Sequence, residues 1–320
     1  MAKVVATRRL PGDAFQKIEE AGHTLRYWEG ECPPPRKELL ALVAGAEGLI
    51  TTLEDKIDAE VMDAAGPGLK VIAQYAVGVD NIDLEAARAR GIRVTNTPGV
   101  LTEATADLAF ALLLAAARRV AEGDRFVREG RWRCWLPSGF LGPEVHGATV
   151  LVVGFGRIGQ AFARRARGFG MEILYTSRVP KPEAEAALGA RRVALDEALP
   201  EADFVSLHVP LTPETERLFD EARLFRMKPG SVLVNTARGR VVDTEALVRA
   251  LQEGPLFAAG LDVTDPEPLP QGHPLTRLEN VVLTPHVGSA GRRTRERMAR
   301  MVAENLLAGL AGKEPPNPVV

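Results

Sequence analysis

Three segments late in the chain set polar groups against strand-like apolar runs: NTARGRVVD at 235–243, GLDVTDPEP at 260–268 and LTPHVGSA at 283–290. Each carries a residue type with defined chemistry. An imidazole in water titrates near neutrality, so the residue type at His286 suits a group that gives up a proton in one direction of a reaction and takes it back in the other. The planar guanidinium of Arg238 can hold a carboxylate through two parallel hydrogen bonds, a geometry that lysine does not reproduce, with Arg240 as the local competitor. Glu267, or less favourably Asp265, could hydrogen-bond the second imidazole nitrogen and fix the histidine tautomer. Of the other histidines, His23, His146 and His273 fall in turn-like surroundings and read as surface residues. His208 ends the FVSLHVP run and reads as lining a cleft.

A second constellation lies upstream. VLVVGFGRIG, residues 150–159, places Gly154, Gly156 and Gly159 in G-x-G-x-x-G spacing, after a strand pattern and before a helical one. Gly154 permits a tight turn, Gly156 lets backbone approach a pyrophosphate, and Gly159 allows close helix–strand packing. Phe155, Arg157 and Ile158 complete a dinucleotide loop at a helix N-terminus. The next strand pattern, EILYTS, lacks the terminal acid that would bond ribose hydroxyls. Thr176, Ser177 and Arg178 stand there with Lys181 close behind, which favours a 2'-phosphate and hence NADP(H), with NAD(H) possible. With a dinucleotide in place, the three late segments have a joint chemistry. Reducing a 2-oxo acid needs a hydride, a proton for the carbonyl oxygen and a cation on the carboxylate.

These groups need elements to position them. Over the first hundred residues, short β-branched runs (KVVAT, GLITT, KVIAQYAVG, IRVTNT) alternate with helical patterns at Asp13–Ala21, Asp58–Ala65 and Leu84–Arg90. From Ala148 a second series follows: ATVLVVG, EILYTS, ADFVSLHV, SVLVNTA, FAAGLDV and NVVLTPH. Alternation of this kind predicts βαβ units around parallel sheets buried on both faces. A helix beginning at Thr102 and a last one over Gly291–Leu310, packing back on the first domain, complete the pattern. The expected fold class is α/β with two domains: residues 1–98 with 287–320, and residues 99–286, the site lying in the cleft between them.

Composition excludes several classes. At 320 residues and 46% hydrophobic content the chain can bury a sizeable core. Forty basic residues, of which 32 are arginine, face 42 acidic ones, so no nucleic-acid or anionic-membrane partner is expected. The apolar stretch Leu108–Ala117 stops at Arg118, too short for a bilayer and better read as a buried helix. The N-terminus has no signal-peptide pattern, and Cys32 and Cys134 are too few for a disulfide framework or a cysteine metal site, so a cytoplasmic setting without a metal is expected.

The glycine loop followed by NTARGRVVD, GLDVTDPEP and LTPHVGSA resembles the D-isomer-specific 2-hydroxyacid dehydrogenase family over essentially the whole chain, and YTSR with GRWRCWLPSG resembles its glyoxylate/hydroxypyruvate reductase branch. The resemblance implies a Rossmann-type doubly wound sheet for the cofactor and a smaller flavodoxin-like α/β substrate domain. It implies Arg238 as substrate clamp, His286 as acid/base and Glu267 as its relay carboxylate. Asp262 would lie near the nicotinamide, and Thr105, Val209, Pro210, Thr236 and Ala237 would contact cofactor, as would the HVPLT segment through Thr212. YAVGVDNID at 75–83 would grip the substrate carboxylate through the amides of Val77 and Gly78, with Leu53 on the opposite wall. Trp132 and Trp135 would belong to a homodimer arm, Trp135 entering the partner's pocket. Competing readings are a dinucleotide-sensing regulator, a D-3-phosphoglycerate dehydrogenase or another D-2-hydroxyacid dehydrogenase. Formate oxidation is disfavoured because it needs no proton relay such as Glu267.

Overall fold

Runs rich in Val, Ile and Leu become central parallel strands because both of their faces can be covered. In the computed structural model, which describes residues 1–320, they form two sheets in two compact units. One unit comprises Met1–Leu101 with Ser289–Val320 and the other Thr102–Gly288. The divisions lie slightly beyond the breaks after Pro98 and His286 expected from sequence.

The first unit holds β1 (Lys3–Ala6), β2 (Thr24–Tyr27), β3 (Gly48–Thr51), β4 (Val71–Gln74) and β5 (Arg93–Thr95) in the all-parallel order β2-β1-β3-β4-β5. That is the flavodoxin-like arrangement. β2 and the Arg36–Val43 helix had no clear sequence signal. TLRY is an edge strand half open to solvent, so it lacks the apolar run of β3 and β4. The Arg292–Leu310 helix packs on β3 and β4 within this unit, burying Met298, Val302 and Leu306.

The second unit holds β6 (Thr149–Val153), β7 (Glu172–Thr176), β8 (Arg191–Arg192), β9 (Phe204–Leu207), β10 (Ser231–Asn235), β11 (Leu256–Leu261) and β12 (Val281–Leu283) in the order β12-β11-β10-β9-β6-β7-β8. All pairings are parallel. Chain direction across the sheet reverses at β6, with β7 on one side and β9 on the other. This switch point opens a crevice at the strands' carboxyl ends, where doubly wound sheets bind ligands. The Leu108–Ala117 stretch is the interior of the Thr102–Ala117 helix, which packs on β10, β11 and the Arg157–Gly168 helix. No helix in the chain is long and apolar enough to cross a membrane.

Candidate functional site

The glycine loop leaves β6 at the switch point. Gly154 has φ +94°, and a Cβ there would fall 2.6 Å from His208 O and 2.9 Å from Val209 Cγ1. The turn therefore needs glycine twice over, for conformation and for space. At Gly159 a Cβ would meet Gly154 O at 2.1 Å, so the helix can close on the loop only without a side chain. Gly156 differs: a Cβ would have no atom within 4 Å. Its missing side chain leaves open space rather than making close packing possible.

The helix that starts there also lacks a side-chain cap. Asp58, Asp83, Asp220 and Asp243 each close the first turn of their helices with a side-chain carboxylate. Gly156, the N-cap of Arg157–Gly168, has no side chain to do so, leaving the first-turn N–H groups and the positive end of the helix dipole for an anion. Just past the end of β10, Thr236 buries a hydroxyl with no partner. Open volume, uncapped amides and an unpaired hydroxyl fit a dinucleotide phosphate. Phe155 contributes backbone only, because its ring stacks on Tyr175 in the core with centroids 4.0 Å apart. Ile158 likewise packs against that core.

At the end of β7, Thr176 and Ser177 are half-buried and Arg178 is exposed. Ser177 Oγ donates to Val179 O at 2.6 Å, closing the turn locally. Lys181 is turned to a structural task, its backbone N–H bonding Tyr175 Oη at 3.0 Å. A residue that sequence reasoning missed, Arg192 of β8, donates Nη2 to Ser177 O at 2.9 Å and to Arg178 O at 3.3 Å. Only strand pairing brings it there, so no local signal announces it.

The three late segments converge at the carboxyl ends of β10, β11 and β12. After β10, the buried Asn235 side chain accepts from Ala237 N at 2.9 Å and donates to Arg238 O at 2.8 Å, shaping the turn that carries Arg238. Arg238 is half-buried, whereas Arg240 is exposed and pairs with Glu216 at 2.5 Å. His286 Nδ1 lies 2.6 Å from Glu267 Oε1, and Glu267 Oε2 accepts from Thr264 N at 3.1 Å. Asp265 is exposed and bonds through its backbone carbonyl, to Thr244, so the imidazole partner is Glu267. Burial would push the Glu267 carboxyl up, but the hydrogen bond and charge of His286, helped by Thr264 N–H and the Arg238 charge, hold it below the usual glutamate value.

Asp262 is only 2% exposed. Its carboxylate accepts from Thr284 Oγ1 at 2.6 Å, Val287 N at 2.8 Å and Gly288 N at 2.8 Å, and its carbonyl accepts from His286 N at 2.9 Å. It ties down the turn in which His286 takes φ +51°, a conformation held by surrounding bonds. Thr105 is buried and its hydroxyl donates to Gly288 O at 3.3 Å, so it supports the same turn. Val209 lies against the glycine loop and Pro210 is exposed, its carbonyl accepting from Thr215 Oγ1. His208 is half-buried at the end of β9: Nε2 bonds Ser206 Oγ at 2.9 Å, its ring packs on Phe162, and desolvation pushes its pKa down to about 3.

In the first unit, Leu53 is half-buried after β3, and Val77 and Gly78 lie in the loop after β4. Trp132 and Trp135 are exposed, Trp135 at 79%, in a stretch without helix or strand.

Known proteins share this arrangement. A family model described as "D-isomer specific 2-hydroxyacid dehydrogenase, NAD binding domain" matches residues 110–288. A glyoxylate reductase of Korarchaeum cryptofilum is 55% identical over 316 residues, covering 98% of this chain and 95% of that protein. A crystal structure of a Thermus thermophilus protein superposes with TM-score 0.94 at 61% identity, covering 99% of this chain and 100% of that one. The NADPH-dependent glyoxylate/hydroxypyruvate reductase of Sinorhizobium meliloti, solved with citrate, gives TM-score 0.86 at 34% identity, over 100% and 98% of the two chains. With its doubly wound sheet and this likeness over nearly the full length, the chain belongs to the D-isomer specific 2-hydroxyacid dehydrogenase family and is an NAD(P)-dependent oxidoreductase.

Proposed function

We propose that this enzyme reduces glyoxylate and hydroxypyruvate to glycolate and D-glycerate, using NADPH in preference to NADH. The observation that carries the reading is the 2.6 Å contact of His286 Nδ1 with Glu267 Oε1, which leaves Nε2 as the ring nitrogen available to a substrate. An ionised Glu267 stabilises the imidazolium form, from which His286 delivers its Nε2 proton to the carbonyl oxygen. Arg238 holds the carboxylate and draws electron density from the adjacent carbonyl. The Val77 and Gly78 amides are donors of the right kind for a carboxylate. When bound, the reduced nicotinamide supplies the hydride. Gly154, Gly156 and Gly159 with the first turn of Arg157–Gly168 hold its pyrophosphate, and Thr236, Ala237, Val209 and Pro210 flank it.

The NADPH preference is supported by the missing acid at the end of β7. Thr176, Ser177 and Arg178 offer hydroxyls and a cation to a 2'-phosphate, and Arg192 adds positive charge to the same turn. Two exposed cysteines without a disulfide suit a reducing cytoplasm. The apolar stretch with Trp132, Trp135 and Leu141 exposed is assigned to a homodimer contact, which sedimentation of the active enzyme would check.

The test is loss of nicotinamide absorbance with NADPH and glyoxylate or hydroxypyruvate, with NADH and pyruvate run beside them. NADPH-dependent turnover of the two small 2-oxo acids is expected. Tight NADPH binding without turnover of any 2-oxo acid would discard the reading, and a tenfold preference for NADH would discard its cofactor half.

A further inference from the structure

Three successive carbonyls in the loop after β4 are tied down. Ala76 O accepts from Thr97 N at 2.9 Å, Val77 O from Asn96 Nδ2 at 2.8 Å and Gly78 O from Gln74 Nε2 at 3.3 Å. In a planar trans peptide the C=O and the following N–H point in opposite directions. Anchoring these carbonyls therefore turns the N–H groups of Val77, Gly78 and Val79 away from the anchors, and none of the three donates a hydrogen bond within the chain. Consecutive free amides at a bend such as Tyr75–Val77 can turn toward one anion.

The anchors are themselves oriented without ambiguity. Gln74 is fully buried at the end of an otherwise apolar strand. Its Oε1 accepts from Thr51 Oγ1 at 2.5 Å, and Nε2 also donates to Asn81 Oδ1 at 2.7 Å. Asn81 Nδ2 then donates to Thr52 O at 3.0 Å and Asp55 O at 2.8 Å. Flipping Gln74 would set its oxygen against the oxygens of Gly78 and Asn81, and flipping Asn81 would set its amide nitrogen against that of Gln74. The Asn96 backbone is held as well, its carbonyl accepting from the buried Asn305 Nδ2 at 3.0 Å. An apolar residue could fill the Gln74 site without any hydrogen-bonding requirement, but it could not direct Gly78 O.

We propose that Asn96 and Gln74 are positioning residues that make this loop a three-amide nest, with Val79 N–H as its third donor, and that the anion it takes is the substrate carboxylate. The identity of that anion rests on the 2-oxo acid reading above. Asn96→Asp keeps the shape but sets a carboxylate oxygen against Val77 O, and Asn96→Ala removes the anchor outright. Calorimetry of the NADPH-saturated enzyme with oxamate, a carboxylate mimic of a 2-oxo acid, should show affinity falling about tenfold or more in both variants. The KM for glyoxylate should rise in parallel, with kcat within about threefold of wild type. NADPH affinity should be unchanged, which a general folding defect would not allow. Gln74→Glu should act in the same direction. Unchanged oxamate affinity in the Asn96 variants overturns the proposal. A wild type that binds oxamate through Asn96 yet turns over no 2-oxo acid leaves the nest standing and sinks the substrate reading; a wild type that binds no oxamate overturns both.

Discussion

The two units handle negative charge with different materials. The Thr102–Gly288 unit carries the ionisable groups, Arg238, Glu267 and His286, at the ends of β10, β11 and β12, together with a phosphate loop made by leaving side chains out. The other unit offers neutral backbone amides in a loop whose carbonyls are held by the buried Gln74 and the half-buried Asn96. Charge responds to pH and drives proton transfer; neutral donors do neither, and serve to hold and orient. The comparison teaches that proton transfer and the amide share of recognition can be disrupted separately, kcat through His286 and Glu267 and KM through Asn96 and Gln74.

The sharpest break is His286→Ala. It should lower kcat by about 10²–10⁴ while leaving NADPH affinity intact, measured by stopped-flow turnover beside fluorescence binding. If kcat survives, the charged unit has lost its acid and the contrast collapses.

Glu267→Gln should cost less, about 10–100-fold in kcat, since a neutral amide still touches Nδ1 but no longer stabilises the imidazolium. Glu267 also fixes a pH window. Its folded pKa lies below the ordinary 4.5, so its ionised form favours the folded state. That stabilisation is present above the unfolded value and is lost as pH falls through the lower folded value. Thermal melts at acid pH should therefore show wild type losing an advantage over Glu267→Gln only below about 4.5.

Two identical glycine substitutions should separate within the phosphate loop. Gly159→Ala drives a Cβ to 2.1 Å from Gly154 O. It should destabilise the protein by about 1–3 kcal/mol. Gly156→Ala meets no protein atom. It should melt normally and instead weaken NADPH binding about tenfold, because the methyl occupies space meant for phosphate. A Gly156→Ala protein with wild-type affinity would remove the phosphate from that gap.

The smallest effect is expected at Arg178. Arg178→Ala should cut the NADPH-to-NADH ratio of kcat/KM by roughly tenfold or less, since the guanidinium is exposed and its contact with a 2'-phosphate is screened by salt. Repeating the ratio at high salt sharpens this, as wild type should drift toward the variant.

Much of this was legible in residue order. The glycine spacing after VLVV, the alternation of apolar runs with helical patterns, and the succession NTARGR, GLDVTDPEP and LTPH depend on local rules, namely period, turn conformation and strand burial, which neighbouring residues express directly. Selection among nearby residues was not local. Glu267 rather than Asp265 faces His286, and Arg240 rather than Arg238 pairs with Glu216, because the direction of each side chain follows from how separate strands end side by side. The bonds that tie Asp262 to the 284–288 turn appear only once that turn closes over its carboxylate, and Arg192 reaches Ser177 O only because β8 pairs with β7. Asn96 and Gln74 look like ordinary polar residues. Their roles come from hydrogen bonds to Val77 O and Gly78 O and from the rigidity of the peptide plane, which only the folded chain brings to bear on the amides beyond.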